Sequence, residues 1–300
     1  MRVIQIRMGP LEDNTTESKK HSHSSTIAKV IRNPLGFILF LFVLILCVVS
    51  MFPQWFAPAN PFEINTAIRL HRPSTNYLFG TDRLGRDLLS RVIHGTRYSI
   101  GASIAVVFTS MLIGTFIGTL AGWKGGFTEK ILMRLVDLLL AFPIIILAMA
   151  FIAALGPGIK NAMLALILVW WGQYARLTWA QVLKVKAEPY IEAAISSGAS
   201  GTRIIWQHIL PNINFVILVK VTLDIGAAIL VIGSLSFIGF GATPPLPEWG
   251  LMVVEARSYL IDFWWYPVIP GLAIFFTVIA FNLFGDLLRD ILDPKLRSVL

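Results

Sequence analysis

Long apolar runs separated by polar segments dominate the chain from residue 35 onward. A membrane-spanning helix needs about 20 mostly apolar residues. Six segments approach this length, at 35–52, 100–122, 133–155, 162–183, 213–240 and 268–283. The pattern therefore predicts an all-α, polytopic membrane protein with six transmembrane helices. The fourth segment is the weakest of the six, because Gln173 and Arg176 interrupt its second half.

The composition supports a membrane protein and excludes a large soluble domain. Charged residues make up 14% of the chain, hydrophobic residues 56%, and the mean hydropathy is +0.72. A soluble domain carries about 25% charged residues. The single cysteine, Cys47, excludes an intramolecular disulfide and a cysteine-cluster metal site.

The distribution of lysine and arginine predicts the orientation. With a cytoplasmic N-terminus, sixteen of these residues fall in the tails and loops inside the membrane and eight fall outside. Basic residues are enriched in cytoplasmic loops. We therefore expect both termini in the cytoplasm of a bacterial cell, with the protein in the plasma (inner) membrane.

The long loop 56–97 carries an amphipathic pattern at its end. Apolar residues recur at helical spacing between Asp82 and His94, with charges between them. This pattern is typical of a helix on the membrane surface, whose arginines would face water, anionic lipid or a docked partner. The segment Gly80–Asp87 has some likeness to a phosphate-binding loop, but Arg86 and Asp87 replace the required lysine and Ser/Thr. Any ATP hydrolysis is therefore expected on another chain.

The loop between the fourth and fifth spans has the pattern of a docking element. Pro189 suits a first helical turn, and Tyr190 begins a short helix carrying the small residues Ala193 and Ala194. Gly198 stands where a left-handed or close-packed turn would end that helix. A second helix should run to Leu210. Small residues and a glycine corner would let the short helix press against another protein.

This loop resembles a known family. Glu192-Ala193-Ala194, with Gly198 six residues after the glutamate and Leu210-Pro211 beyond, is similar to the EAA loop of permeases of type I ABC importers. Other segments resemble the C-type (second) permease of the dipeptide, oligopeptide and nickel subfamily. They are 79–87, 133–137, 141–143, 174–178, 235–241, 244–250 and 293–297.

The resemblance implies partners and roles for named residues. A second, homologous permease would complete the pathway as a heterodimer, two cytoplasmic ATPase subunits would bind ATP and Mg, and an extracytoplasmic binding protein would deliver peptides. No cofactor, metal or nucleic acid is expected on this chain. The residues of this loop that would couple the chain to the ATPase are Tyr190, Glu192, Ala193, Ala194, Gly198, Ala199, Leu210 and Pro211.

The same resemblance divides the chain into four parts. They are a flexible cytoplasmic tail (1–34), a first transmembrane helix with its external loop and amphipathic helix (35–96), a type-1 permease domain (97–288) and a cytoplasmic C-terminal tail (289–300). Two alternatives remain open for the function. One is import of nickel or a metal chelate by the same architecture, and the other is a self-sufficient channel or secondary carrier.

Several charged and small residues within the spans call for an explanation of their own. Lys220 and Asp224 are four residues apart, so they share a helical face and can pair. They are either a buried ion pair or a polar lining that meets peptide termini. A second pair is expected between Arg134 and Asp137. Glycines at 114, 118 and 122 predict close helix packing in lipid.

Overall fold

The computed structural model describes residues 34–292, and within this range the chain is helical without β-strands. Residues 1–33 of the predicted tail 1–34, and the motif at 293–297, lie outside the described residues. The α-helices are α1 (Pro34–Met51), α2 (Leu88–Lys124), α3 (Gly126–Leu140), α4 (Ile144–Leu155), α5 (Ile159–Lys186), α6 (Pro189–Ser196), α7 (Gly201–Ile204), α8 (Leu210–Ile238), α9 (Trp249–Ala256) and α10 (Trp265–Leu292).

Four stretches of the described chain are long and apolar enough to cross a membrane. They are Pro34–Met51, Leu88–Lys124, Gly201–Ile238 and Trp265–Ile291. The third runs through α7, a π-helical segment at Ile205–Ile209, and α8. A fifth span is possible if α3 and α4 count as one, although the two meet at an angle of 90°.

The predicted fourth span lies within α5, which is a continuous helix but does not meet the same test of apolarity. Its polar residues Gln173 and Arg176 account for this, because each interrupts the apolar run. By length and composition the described residues hold four or five spans, so the predicted count of six is not shown exactly.

The two ends of the bundle are defined by the segments that connect its helices. The segment 52–87 packs where α1 ends and α2 begins. There the Ser50 hydroxyl donates to the Thr96 carbonyl, and the Ala59 amide donates to the Ser90 hydroxyl at 3.0 Å. We call this the loop end. The opposite end carries residues 187–200, which join α5 to α7, and we call it the elbow end.

The prediction of a surface helix between Asp82 and His94 is wrong. From Leu88 onward these residues are the first turns of the 37-residue helix α2, and the Asp87 carboxylate caps it by accepting from the Ser90 amide at 2.8 Å. Leu88 and Arg91 are buried. Helical spacing of apolar residues predicted the helix correctly, but it does not show which face other protein segments cover.

The arginines of this region form a buried ionic cluster rather than facing lipid. Asp82 Oδ2 lies 2.5 Å from Arg86 Nε and 3.5 Å from Arg91 Nε. Glu255, at the end of α9, places Oε2 3.5 Å from a terminal nitrogen of both arginines. Its Oε1 lies 3.2 Å from the half-exposed Arg83. The cluster therefore ties the segment 52–87 to α2 and α9 at the loop end.

A charged pair near the break between α3 and α4 also differs from the expectation. Asp137 pairs with Arg176 on α5, not with Arg134 three residues before it. Arg134 is exposed. Helix α3 ends at Leu140 with Ala141 as its C-cap, and Pro143 is the N-cap of α4. The two helices are separate because Phe142, the residue before the proline, is disfavoured in the α conformation. The ion pair thus joins the end of α3 to α5.

The predicted close packing at the glycine stripe is confirmed, and its partner is α5. A Cβ added at Gly114 would lie 2.4 Å from the Trp171 carbonyl oxygen, and one at Gly118 would lie 2.4 Å from that of Ala175. At Gly122 it would lie 2.8 Å from Val182. Backbone on one helix therefore rests directly against backbone and side chains on the other over two turns.

We expect Gly118→Val to destabilise the protein strongly, because overpacking a tight contact costs roughly 1–3 kcal/mol or more and here the obstacle is backbone. A lower thermal unfolding midpoint in detergent would show it. The control is Gly271→Ala on α10, where an added Cβ has no neighbour within 4 Å among the described residues. Equal midpoints for the two variants would contradict the packing role of Gly118.

Candidate coupling elbow and membrane ion pair

The elbow is a short helix with a defined start and a defined stop. Pro189 occupies the first turn of α6, as predicted, and Gly198 adopts a φ of +80° just beyond it. The Ala199 amide donates to the Ala194 carbonyl at 3.1 Å, and the Gly198 amide donates to that of Ile195 at 2.9 Å. These two bonds form a Schellman motif. Because an added Cβ at Gly198 would meet open space, glycine is needed there for its conformation and not for close packing.

One face of α6 is exposed and the other is anchored. Glu192 and Ala193 are exposed, as are Tyr190 and Ile195, whose exposed fractions are 43% and 51%. Ile191 is fully buried. Ala194 and Ala199 are partly buried against the protein's own core, so of the two alanines Ala193 is the one open to a partner.

An apolar cluster holds the elbow to the helices on both sides. It surrounds Ile191 with side chains from the end of α5, from α7 and from the start of α8, namely Val182, Val185, Ile204, Ile209, Ile213 and Ile217. Close-packed apolar side chains transmit displacement because the interior has low compressibility. The elbow therefore forms one packed unit with the ends of α5 and α8.

Polar contacts extend this unit. The Lys186 ammonium donates to the Trp123 carbonyl at the end of α2 at 2.8 Å, and the backbone at Gly201 lies against the Trp123 ring. On the exposed side, the Asn212 amide donates to the Tyr190 hydroxyl at 3.2 Å. Partial burial and the nearby Glu188 carboxylate raise the pKa of Tyr190 above its ordinary value.

The predicted second helix does not stop at Leu210. It runs through a π-helical turn at Ile205–Ile209 directly into α8, and Pro211 sits in the first turn of α8. Proline lacks the amide that a helix interior requires, and a π turn changes the local bonding pattern. Leu210 and Pro211 therefore belong to the membrane helix itself, and no break in the helix separates them from the π-helical turn that precedes them.

Lys220 and Asp224 pair on α8. Lys220 Nζ lies 3.0 Å from Asp224 Oδ1 and 3.1 Å from Gln173 Oε1 on α5. The Trp170 indole donates to Asp224 Oδ2 at 3.2 Å, and the ammonium lies 5.3 Å from the centre of the Tyr174 ring. The side chain of Lys220 is 24% exposed and that of Asp224 is 11% exposed. The pair is thus bonded within the protein, with Lys220 partly exposed and Asp224 buried.

The sequence did not identify the residues that support these two sites. Trp123, Trp170, Gln173 and Asn212 are distant in sequence from the groups that they contact, and each sits in a stretch without a recognisable motif. Gln173 gave the one available signal, because a polar residue within an apolar span needs a partner.

The long apolar helices define the class as a multi-pass membrane protein. The chain belongs to the family of inner membrane components of binding-protein-dependent transport systems, whose pattern matches residues 114–298. It is a transport component, not an enzyme. Membership implies association with ATPase and substrate-binding partners.

Curated relatives cover most of the chain. It is 44% identical over 88% of both chains to the probable D,D-dipeptide transport system permease protein DdpC of Escherichia coli. It is 44% identical over 86% of both chains to the glutathione transport system permease protein GsiD of Pectobacterium atrosepticum. It is 40% identical over 89% of both chains to the di/tripeptide transport system permease protein DppC of Pseudomonas aeruginosa.

The likeness to solved structures concerns the fold. A chain of the methionine ABC transporter MetNI, solved in inward-facing conformations, aligns with a TM-score of 0.54 at 17% identity. The alignment covers 67% of this chain and 96% of that chain. This agrees with the predicted type I importer permease fold.

Proposed function

We propose that this chain is one half of the membrane pathway of an ATP-driven importer of short peptides. The relatives named for D,D-dipeptides, glutathione and di/tripeptides support peptide cargo over nickel or a metal chelate. A second permease completes the pathway as a heterodimer, two ATPase subunits bind at the elbow end, and an extracytoplasmic protein delivers the peptide at the loop end. The four-part division of the chain stays part of this proposal, with the amphipathic segment 88–94 now assigned to the start of α2.

The observation that carries the coupling role is the combination of exposure and anchoring at α6. Glu192, Ala193 and Ile195 present a small charged and apolar surface, while Ile191 fixes the helix to the ends of α5 and α8. A force applied to that surface therefore reaches two membrane helices. Switching a pathway between two orientations needs a packed element that has two stable arrangements.

The proposed orientation places the elbow end in the cytoplasm. Basic residues cluster there at the end of α2 and on α3, α5 and α7, as the positive-inside rule requires. They include Lys124, Lys130, Arg134, Lys184, Lys186 and Arg203. The helix ends at the loop end would then face the outside, where a binding protein docks.

The proposal is tested by assembly and by topology. Affinity-tagged chain, purified in mild detergent, should carry a second permease and ATPase subunits with it, and mass spectrometry of the binding protein should show retained peptide. A cysteine placed at Ser197 should react with a membrane-impermeant thiol reagent only in inverted vesicles, while one at Ser74 should react only in intact cells stripped of outer layers. Purification of the chain alone, or the reverse labelling pattern, would refute it.

A further inference from the structure

The ion pair within the membrane invites an explanation beyond stability. Each charge in a span costs about 2.5–3.5 kcal/mol on insertion scales, and well-packed apolar residues often replace a buried pair without loss. Lys220 and Asp224 are nevertheless held by Gln173 and Trp170 from a second helix. The protein therefore keeps a hydrogen-bonded polar site at positions where apolar residues would have a lower free energy in the membrane.

Lys220 lies on a partly exposed face of α8, with Asp224 buried beside it. Lys220, Ala227 and Ser234 recur every seven residues, which places them on one side of the helix. Lys220 and Ala227 are partly exposed, and Ser234 is exposed. Ser234 lines a groove of about 530 Å³ that also touches Gly250 on α9 and is otherwise mostly apolar, with Leu230 and Phe237 among its lining residues. Fourteen residues of helix separate Ser234 from Lys220, so this face extends about 21 Å from the groove to the pair.

We propose that Lys220 and Asp224 form a transient site for the two charged termini of a peptide during passage, an inference that rests on the proposed function. The peptide carboxylate meets the Lys220 ammonium, and the peptide ammonium meets Asp224. A zwitterion suits a site of one positive and one negative group with no net charge. Without such partners, a charged terminus entering a low-dielectric pathway would pay a large desolvation cost.

The internal bond between the two residues also explains release. Conduction requires sites that bind well enough for entry and weakly enough for exit. When the peptide arrives, it must displace Asp224 from Lys220 Nζ, whose bond is 3.0 Å. When the peptide leaves, the same bond forms again. The bond between Lys220 and Asp224 therefore competes with the peptide termini, which keeps peptide binding weak in the middle of the pathway.

The test uses the complete importer reconstituted in liposomes, with the binding protein saturated by each probe. The probes are trialanine, its C-terminal amide and its N-acetyl derivative, and uptake is measured in a single turnover. We expect Lys220→Gln to lower uptake of trialanine by about tenfold while leaving uptake of the amide near the wild-type value, since a hydrogen bond to a charged group is lost. Asp224→Asn should act in the same way on the free ammonium and spare the N-acetyl peptide.

Two further variants separate a pathway role from a structural one. Arg176→Gln breaks a different ion pair, which joins α5 to Asp137 on α3, and should lower uptake of all three probes equally or not at all. Lys220→Gln combined with Asp224→Asn keeps the shapes and neutralises both charges, so it serves if a single variant fails to assemble. It should remove the discrimination between the probes.

The outcomes distinguish the inference from the function on which it rests. If the wild-type importer takes up the probes and every assembled variant keeps the wild-type ratios among them, the site does not contact the termini and the inference is overturned. If the wild-type importer takes up no peptide, the proposed cargo itself is wrong.

Discussion

Replacing Glu192 by lysine is expected to abolish coupled transport and to leave the permease folded. The side chain is exposed in the first turn of α6, so its contribution to the fold is a favourable helix-dipole interaction of about 0.3–1 kcal/mol. Across an interface, loss of one partner of a close charge pair costs roughly 2–5 kcal/mol. Uptake and substrate-stimulated ATP hydrolysis in the reconstituted importer should therefore fall at least about tenfold.

The matched control for this variant is Asp290→Lys on α10. Asp290 is also an exposed carboxylate at the elbow end, but it lies away from the elbow. It should assemble and transport like the wild type. Helical content and thermal unfolding midpoint of Glu192→Lys should match those of the control. Normal uptake by a correctly assembled Glu192→Lys complex would remove α6 from the coupling interface.

The second large effect is expected at the loop end, where Glu255→Gln should lower the free energy of unfolding by roughly 3–5 kcal/mol, the cost of breaking a buried ion pair from one side. The carboxylate faces Arg86 and Arg91, whose side chains are 3% and 1% exposed. An uncharged amide leaves both buried guanidinium groups sharing the carboxylate of Asp82, and Arg91 keeps its hydrogen bonds to the Pro61 and Pro245 carbonyls. Denaturant unfolding in detergent, followed by tryptophan fluorescence, measures the loss.

Asp262→Asn provides the comparison for Glu255→Gln. It removes an exposed carboxylate from the same end of the bundle, and exposed charges contribute little to stability. Its midpoint should coincide with that of the wild type. If Glu255→Gln also unfolds at the wild-type midpoint, the ionic cluster does not hold the segment 52–87 in place.

The features that the sequence predicted correctly depend on neighbours along the chain. Pro189 and Gly198 bound α6 through bonds that span only a few residues. Lys220 and Asp224 pair because four residues bring two side chains to one face of a helix. The glycine stripe at 114, 118 and 122 fixed a close approach, although it did not identify α5 as the partner.

The features that the sequence did not predict depend on contacts between distant segments. Glu255 meets Arg91 across 164 positions, so the periodicity of 82–94 could not show that its arginines are buried. Asp137 pairs with Arg176, 39 positions away, because α3 packs against α5. Local pattern thus gives elements and caps, whereas long-range charge pairing decides which faces are covered.

The length of α2 restricts how the protein can change shape. Its 37 residues extend about 55 Å, well beyond a hydrocarbon layer of about 30 Å. Its first turns are fastened by the Arg91 guanidinium and its last residues by Trp123 against Gly201. Such a strut keeps the two aqueous faces at a constant separation. A conformational change driven at one face therefore reaches the other face through tilt or rotation of α2 and not through a change in its length.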